Sequence, residues 1–147
     1  MKNIFVSFSM AAALGLVSTA AFAVVQAPDL AVQSVVTKNK CDSTETTCVI
    51  QNLTIYVANN GSADAGKSTM ELWLSDDTTL STDTDTLIKR VAVPKIKQNF
   101  NCKRNFGGGL FKKLNLHGTQ YFIAVVDSNH VVQESNESNN TIAASHH

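Results

Sequence analysis

An all-β sandwich of the immunoglobulin-like class is what this sequence predicts, and three observations predict it. Apolar residues alternate with a period of two in one segment after another, and no 3.6-residue helical period follows the first two dozen residues. Clusters of Gly, Pro, Asn and Asp separate those segments at short spacing. About seven short strands in one chain of this length fit two packed antiparallel sheets better than a closed barrel.

Ala27-Pro28-Asp29 leads into a first strand from Leu30 to Val36. Cys48 to Ala58 is the second, with Leu53, Ile55 and Val57 on one face and Thr54, Tyr56 and Ala58 on the other. Asn59-Asn60-Gly61 ends it as a turn. Ser68 to Ser75 directs Met70, Leu72 and Leu74 inward and Thr69, Glu71 and Trp73 outward. Thr86 to Val93 is a further strand stopped by Pro94, which cannot donate to a ladder. Lys95 to Lys113 is irregular, and any strand within it is the least defined element. Thr119 to Val126 is apolar on both faces, as a central strand covered on both sides would be. Val131 to Gln133 and Thr141 to Ala143 read as short edges.

The N-terminus does not belong to this domain. Lys2 precedes an apolar, small-residue run from Ile4 to Phe22 that ends in Ala21-Phe22-Ala23, the A-x-A pattern of a cleaved secretory signal. Residues 1–23 are read as that signal and 24–147 as one domain, secreted or periplasmic after cleavage near Ala23. Without Lys2 the remaining 124 residues carry eleven Lys/Arg against twelve Asp/Glu. That balance exerts no global pull on nucleic acid or membrane, and no nucleic-acid partner is expected. Three cysteines in an exported chain suggest one disulfide and one spare thiol. Cys41 and Cys48 flank the polar loop Asp42-Ser43-Thr44-Glu45-Thr46-Thr47 and are the favoured pair, a staple worth about 2.5 kcal/mol on the chain-entropy argument. Cys102 is left as a partly buried or unpaired thiol.

Several segments in order carry a family likeness: Ala27-Pro28-Asp29-Leu30, then Val57-Ala58-Asn59-Asn60-Gly61-Ser62-Ala63-Asp64-Ala65-Gly66, then Leu74-Ser75 with Asp83-Thr84-Asp85-Thr86-Leu87-Ile88 after it. A Gly118-Thr119-Gln120-Tyr121 strand follows and runs into the Glu/Asn-rich corner from Gln133 to Asn140. Together they resemble the CARDB module, the cell-adhesion-related domain found in bacteria, over nearly all of residues 24–147. The resemblance implies a fibronectin- or immunoglobulin-like sandwich used for extracellular recognition. The departure is Lys95 to Lys113, where the family usually has an apolar-alternating strand.

That departure also holds the favoured binding surface. Lys95, Lys97, Lys103, Arg104, Lys112 and Lys113 are interleaved with Phe100, Phe106 and Phe111, with no acid between them. Cations and rings in that mixture suit anionic glycans or lipid headgroups. The competing reading makes the phenylalanines core and the lysines a solvated face. Trp73 is a second candidate contact for a sugar or a protein, against the alternative of an indole covered by its surroundings. No cofactor is expected. Calcium is a weaker alternative at Asp127, Glu134 and Glu137, hard oxygen groups that equally stabilise turns. No nucleophile elbow, zinc-binding His pair or phosphate loop appears, so no catalytic residue is assigned and an enzyme is not expected. The leading expectation is a binding or adhesion module for an extracellular protein or an anionic glycan or lipid surface. The alternatives are a structural component pairing through a sheet edge, and a secreted effector or inhibitor acting through residues 95–113.

Overall fold

The computed structural model describes residues 25–41, 43, 48–114, 116 and 119–145, with only the backbone described at Cys48. The expected signal segment, 1–23, lies outside them. Seven strands form: β1 (Leu30–Cys41), β2 (Cys48–Asn59), β3 (Ser68–Ser75), β4 (Thr86–Val93), β5 (Asn101–Gly107), β6 (Tyr121–Val126) and β7 (Thr141–Ser145). A short 3-10 turn, Gly108–Leu110, follows β5. The strands make two antiparallel sheets, one in the order β1-β2-β5 and the other β4-β3-β6-β7.

The alternation read in the sequence becomes the core between the sheets. Leu53, Ile55 and Val57 of β2 are fully buried, as are Met70 and Leu72 of β3 and Phe122, Ala124 and Val126 of β6. Leu30, Val32, Val93 and Phe106 join the same cluster. β6 lies between β3 and β7, and Ile123 on its other face is also fully buried, as a strand covered on both sides requires.

Three strand assignments change. β1 runs on to Cys41 instead of ending at Val36, because β2 offers it a partner along its whole length despite two register shifts. Within 95–113 a regular strand does form, β5, paired to β2 from Asn101 to Gly107. Val131–Gln133 is not a strand. The chain turns sharply after β6, with positive φ at Asp127 and His130. The Asp127 carboxylate then accepts the N–H groups of Val131 (3.2 Å) and Val132 (3.0 Å), the donors that a ladder would have used. Val132 instead fills the end of the core.

Asn59 joins the N-terminal segment to the β4–β5 connection. Its side chain is fully buried and makes four hydrogen bonds: Oδ1 accepts from Asp29 N (3.0 Å) and Gly61 N (3.1 Å), and Nδ2 donates to Ala63 O (2.7 Å) and Ile96 O (3.1 Å). Gly61 is required beside it, since a Cβ there would lie 2.4 Å from the Ala27 carbonyl oxygen. That close approach lets Asn60 and Ser62 donate to the Asp29 and Ala27 carbonyls.

Candidate functional site

The cations and rings of 95–113 do not form one surface. Phe106 points inward from β5 and is 7% exposed. Phe111, after the 3-10 turn, is buried edge-on against Phe122 with ring centroids 5.5 Å apart. Both candidate contacts are core: Phe106 because β5 alternates and sends every second residue between the sheets, and Phe111 because the turn after β5 sets it against Phe122. The lysines divide as well. β5 is about 20 Å long at ~3.3 Å per residue, and it separates Lys95 and Lys97 before it from Lys112 and Lys113 after it.

Near the start of β5, Lys95, Ile96, Lys97, Phe100, Asn101 and Cys102 line a recess of about 180 Å3. Phe100 is 64% exposed at its edge. Lys95 forms an ion pair with Asp64 (Nζ–Oδ2 3.0 Å). The Gln98 N–H, and then Lys95, hold the Asp64 carboxyl below its ordinary range. Cys102 is a free, half-buried thiol whose pKa burial pushes up, against a smaller lowering by Arg104. Lys103 is exposed on the outer side of β5. Arg104 lies at the sheet margin and donates from Nε (3.2 Å) and a terminal nitrogen (3.0 Å) to the Ala92 carbonyl of β4. It thereby ties the edge strand of one sheet to the edge strand of the other and occupies an acceptor that an added strand would need.

Lys112 borders a recess of about 210 Å3 with Val49, Ile50, Leu114 and Leu116. Lys113 borders a third recess, about 440 Å3, with Asp76, Asp77, Asp85 and Gln120. The acids there already accept hydrogen bonds: Asp77 from Thr79 N (2.7 Å) and Asp85 from Ser81 N (2.7 Å) within turns, and Asp76 from Gln120 Nε2 (2.9 Å) across the sheet end.

Trp73 is 6% exposed, which corrects the expectation of an available indole. It faces outward from β3 as the alternation requires, but Ile123 of β6 and Leu87 of β4 are its register neighbours. Its Nε1 donates to Glu71 Oε2 (2.9 Å), and Glu71 Oε1 also accepts from Arg90 Nε. The outer face of the four-stranded sheet is sealed at its centre.

The Glu/Asn corner is a clasp. Glu134 accepts from the Leu30 N–H and from Asn140 Nδ2 (2.9 Å), so it pins the start of β1. Ser135 N donates to the Pro28 carbonyl (2.8 Å), and Asn139 Nδ2 to Asp29 Oδ1 (2.8 Å). Glu137 accepts the Glu134 N–H (3.2 Å). Burial raises the Glu134 carboxyl above its ordinary value, against the lowering effect of the Leu30 and Asn140 bonds. The calcium candidates Asp127, Glu134 and Glu137 are all committed to N–H donors. Among the described residues no three His, Cys, Asp or Glu side chains converge as metal ligands.

One surface is represented in the site residues read from sequence by Lys103 alone: the outer face of the three-stranded sheet. Register aligns Ser34, Tyr56 and Lys103 in one row and Val36, Thr54 and Asn105 in the next. Tyr56 is 36% exposed at the centre of the sheet. The alternation already places Tyr56 and Thr54 on the outward face of β2. It does not reveal that β5 brings Lys103 and Asn105 beside them, because that pairing joins residues some fifty positions apart.

Two packed antiparallel sheets of seven strands with a capped corner, and among the described residues no helix beyond one short turn, define an immunoglobulin-like β-sandwich domain. The CARDB family model matches residues 27–144, and the chain belongs to that family. Solved structures agree on the fold. One is a domain of a protein ascribed to the cell surface of Methanosarcina acetivorans, 21% identical, covering 81% of this chain and 90% of that one, with a TM-score of 0.58. Another is a CARDB domain from Pyrococcus furiosus in complex with two metal ions, 20% identical, covering 87% of this chain and 93% of that one, with a TM-score of 0.54. No curated protein matches the sequence. Among the described residues no helix is long and apolar enough to cross a membrane.

Proposed function

We propose that this CARDB domain is an exported recognition module that holds an anionic surface ligand, with Lys97, Phe100 and Lys103 as its first contacts. The observation that carries this reading is Phe100, a phenylalanine 64% exposed beside a basic recess in a domain whose other described phenylalanines are core. An exposed ring among cations combines apolar contact with charge attraction, and nothing in the packing of the sandwich requires it there. Lys95 contributes less, since Asp64 already neutralises it. Export rests on the N-terminal signal pattern. It agrees with the cell-surface ascription of the Methanosarcina relative. The effector reading uses the same surface and differs in its target.

The Pyrococcus domain binds two metal ions. The residues described in this chain do not fit such a group, because its corner carboxylates receive N–H donors and no third ligand converges on them. Recognition is therefore assigned to cations and rings.

The test is binding of the purified protein to anionic glycans, lipopolysaccharide and anionic lipid vesicles at low and high salt. A Lys97→Glu/Phe100→Ser variant is compared at each salt. Binding weakens with salt in the wild type, since exposed charges are screened over about 10 Å at 0.1 M. The folded variant loses it at least about tenfold, equivalent to ~1.4 kcal/mol. Salt-independent binding, or equal binding by the variant, overturns the assignment.

A further inference from the structure

Acidic glycans, anionic lipids and acidic proteins all carry negative charge, and the outer face of the three-stranded sheet separates them. Tyr56 stands on the central strand with its ring partly exposed. Lys103 is its register partner on β5, and neighbouring side chains across such a pair lie within about 5 Å at Cβ. One row along, about 7 Å away at two residues per repeat, Thr54 organises two amides. Asn52 Nδ2 donates to Thr54 Oγ1 (3.0 Å), and Thr54 Oγ1 donates to Asn105 Oδ1 (2.9 Å). This relay orients both side chains and leaves the Asn52 carbonyl oxygen as an acceptor and the Asn105 amide nitrogen as a donor. Lys38 is the register partner of Asn52 on β1. No Asp or Glu occupies an outward position in these rows, and among the described residues neither Lys38 nor Lys103 forms an ion pair.

We infer that this face is a track for an acidic polysaccharide, with Tyr56 as the platform on which a sugar ring stacks. Asn52 and Asn105 serve hydroxyl groups of the next ring, and Lys38 and Lys103 meet its carboxylate or sulfate groups. The inference rests on the proposed function and deepens it by naming the ligand class and moving the centre of the site from the β4–β5 connection to the sheet. Its chemistry selects a glycan over the other polyanions. An exposed ring beside a linked set of amide and hydroxyl groups, Asn52, Thr54 and Asn105, matches a polymer that offers both an apolar ring face and hydroxyl groups. A membrane would call for a contiguous group of large apolar side chains to insert, and the exposed apolar residues of this sheet are Val36, Val49 and the rim of Tyr56, on strand positions separated by Asn, Thr and Lys. A protein partner would call for a central cluster of large anchors, and Tyr56 stands among Asn, Thr and Lys.

Calorimetric titration of the purified protein decides it, with carboxylated oligomers (alginate, polygalacturonate), sulfated oligomers (heparin fragments), neutral dextran oligomers and anionic phospholipid vesicles as probes. Acidic oligomers are expected to bind at low salt and dextran not. The carboxylated and sulfated arms identify the acid group. Tyr56→Thr, which keeps a strand-favouring residue, is expected to weaken binding about tenfold or more while the variant stays folded with only a small loss of stability. Lys38→Gln/Lys103→Gln is expected to weaken it and flatten its salt dependence. Equal binding of dextran, binding of vesicles alone, or wild-type affinity in Tyr56→Thr overturns the track. If acidic oligomers bind and their loss follows Lys97→Glu/Phe100→Ser but not Tyr56→Thr, the track fails and the proposed function stands. If none of the anionic probes binds, both fail.

Discussion

The outer faces of the two sheets carry similar residue types and use them in opposite ways. On the four-stranded sheet an aromatic residue, Trp73, is 6% exposed, its nitrogen bonded to Glu71, which also pairs with Arg90. On the three-stranded sheet an aromatic residue, Tyr56, is 36% exposed among Lys103, Thr54 and Ser34. Both are outward positions in alternating strands. The difference lies in the neighbours: Trp73 is flanked by Leu87 and Ile123 on adjacent strands, whereas Tyr56 is flanked by Ser34 and Lys103. Cross-strand partners decide whether an outward aromatic ring becomes a second small core or stays available.

The largest test of this contrast is stability. Trp73→Ala should lower the unfolding free energy by about 3–5 kcal/mol, through a lost aromatic contact and an unpaired Glu71 oxygen. Tyr56→Thr should cost under ~1 kcal/mol, as surface changes usually do. Urea unfolding of both variants measures the difference, and equal losses would erase the distinction between the faces.

A smaller effect sharpens the picture at the far end of the open face. The register sets Cys41 opposite Cys48 where β1 and β2 meet, and Cys102 is a free thiol elsewhere. We propose the Cys41–Cys48 bridge on that geometry. Reduction should then lower stability by about 2–2.5 kcal/mol. Cys41→Ser should reproduce that loss and Cys102→Ser should not. A bridge that survives Cys41→Ser would reassign the pair.

The smallest effect concerns pH. Burial raises the Glu134 carboxyl above 4.5, so the folded chain holds that proton to higher pH than the unfolded chain. Its contribution is complete below the unfolded value and is lost as pH rises through the folded one. Asp64 runs the other way: lowered from 3.8 by Gln98 and Lys95, it stabilises above that value and the gain is lost as pH falls through the folded one. Melting curves across this range should show Glu134→Gln removing a decline on the rising side and Asp64→Asn removing one on the falling side. A Glu134→Gln profile parallel to the wild type would show that the clasp does not titrate.

Much of this molecule is legible in its residues. Leu53, Ile55 and Val57, and Met70 and Leu72, lie in the core where a period of two sends them, because a pleated strand has only two faces. The family likeness is equally local, since its turns are set by Asn, Asp and Gly within a few positions. The candidate site was much less legible. Phe106 and Phe111 read as ligand contacts because a run of lysines surrounds them in sequence, yet β5 pairs with β2 and turns Phe106 inward while Lys103 stays out. Val131 to Gln133 has strand composition, but the Asp127 carboxylate takes the N–H groups of Val131 and Val132.

By itself, then, the sequence determined the sandwich class, the inward faces of its strands and its membership of the CARDB family, because periodicity and turn chemistry act between near neighbours. Tertiary structure alone decided which outward residues meet. The alignment of Tyr56 with Lys103, the sealing of Trp73 and the separation of Lys97 from Lys113 all depend on strand order and register. Those are set by how the whole core packs, and no local pattern encodes them.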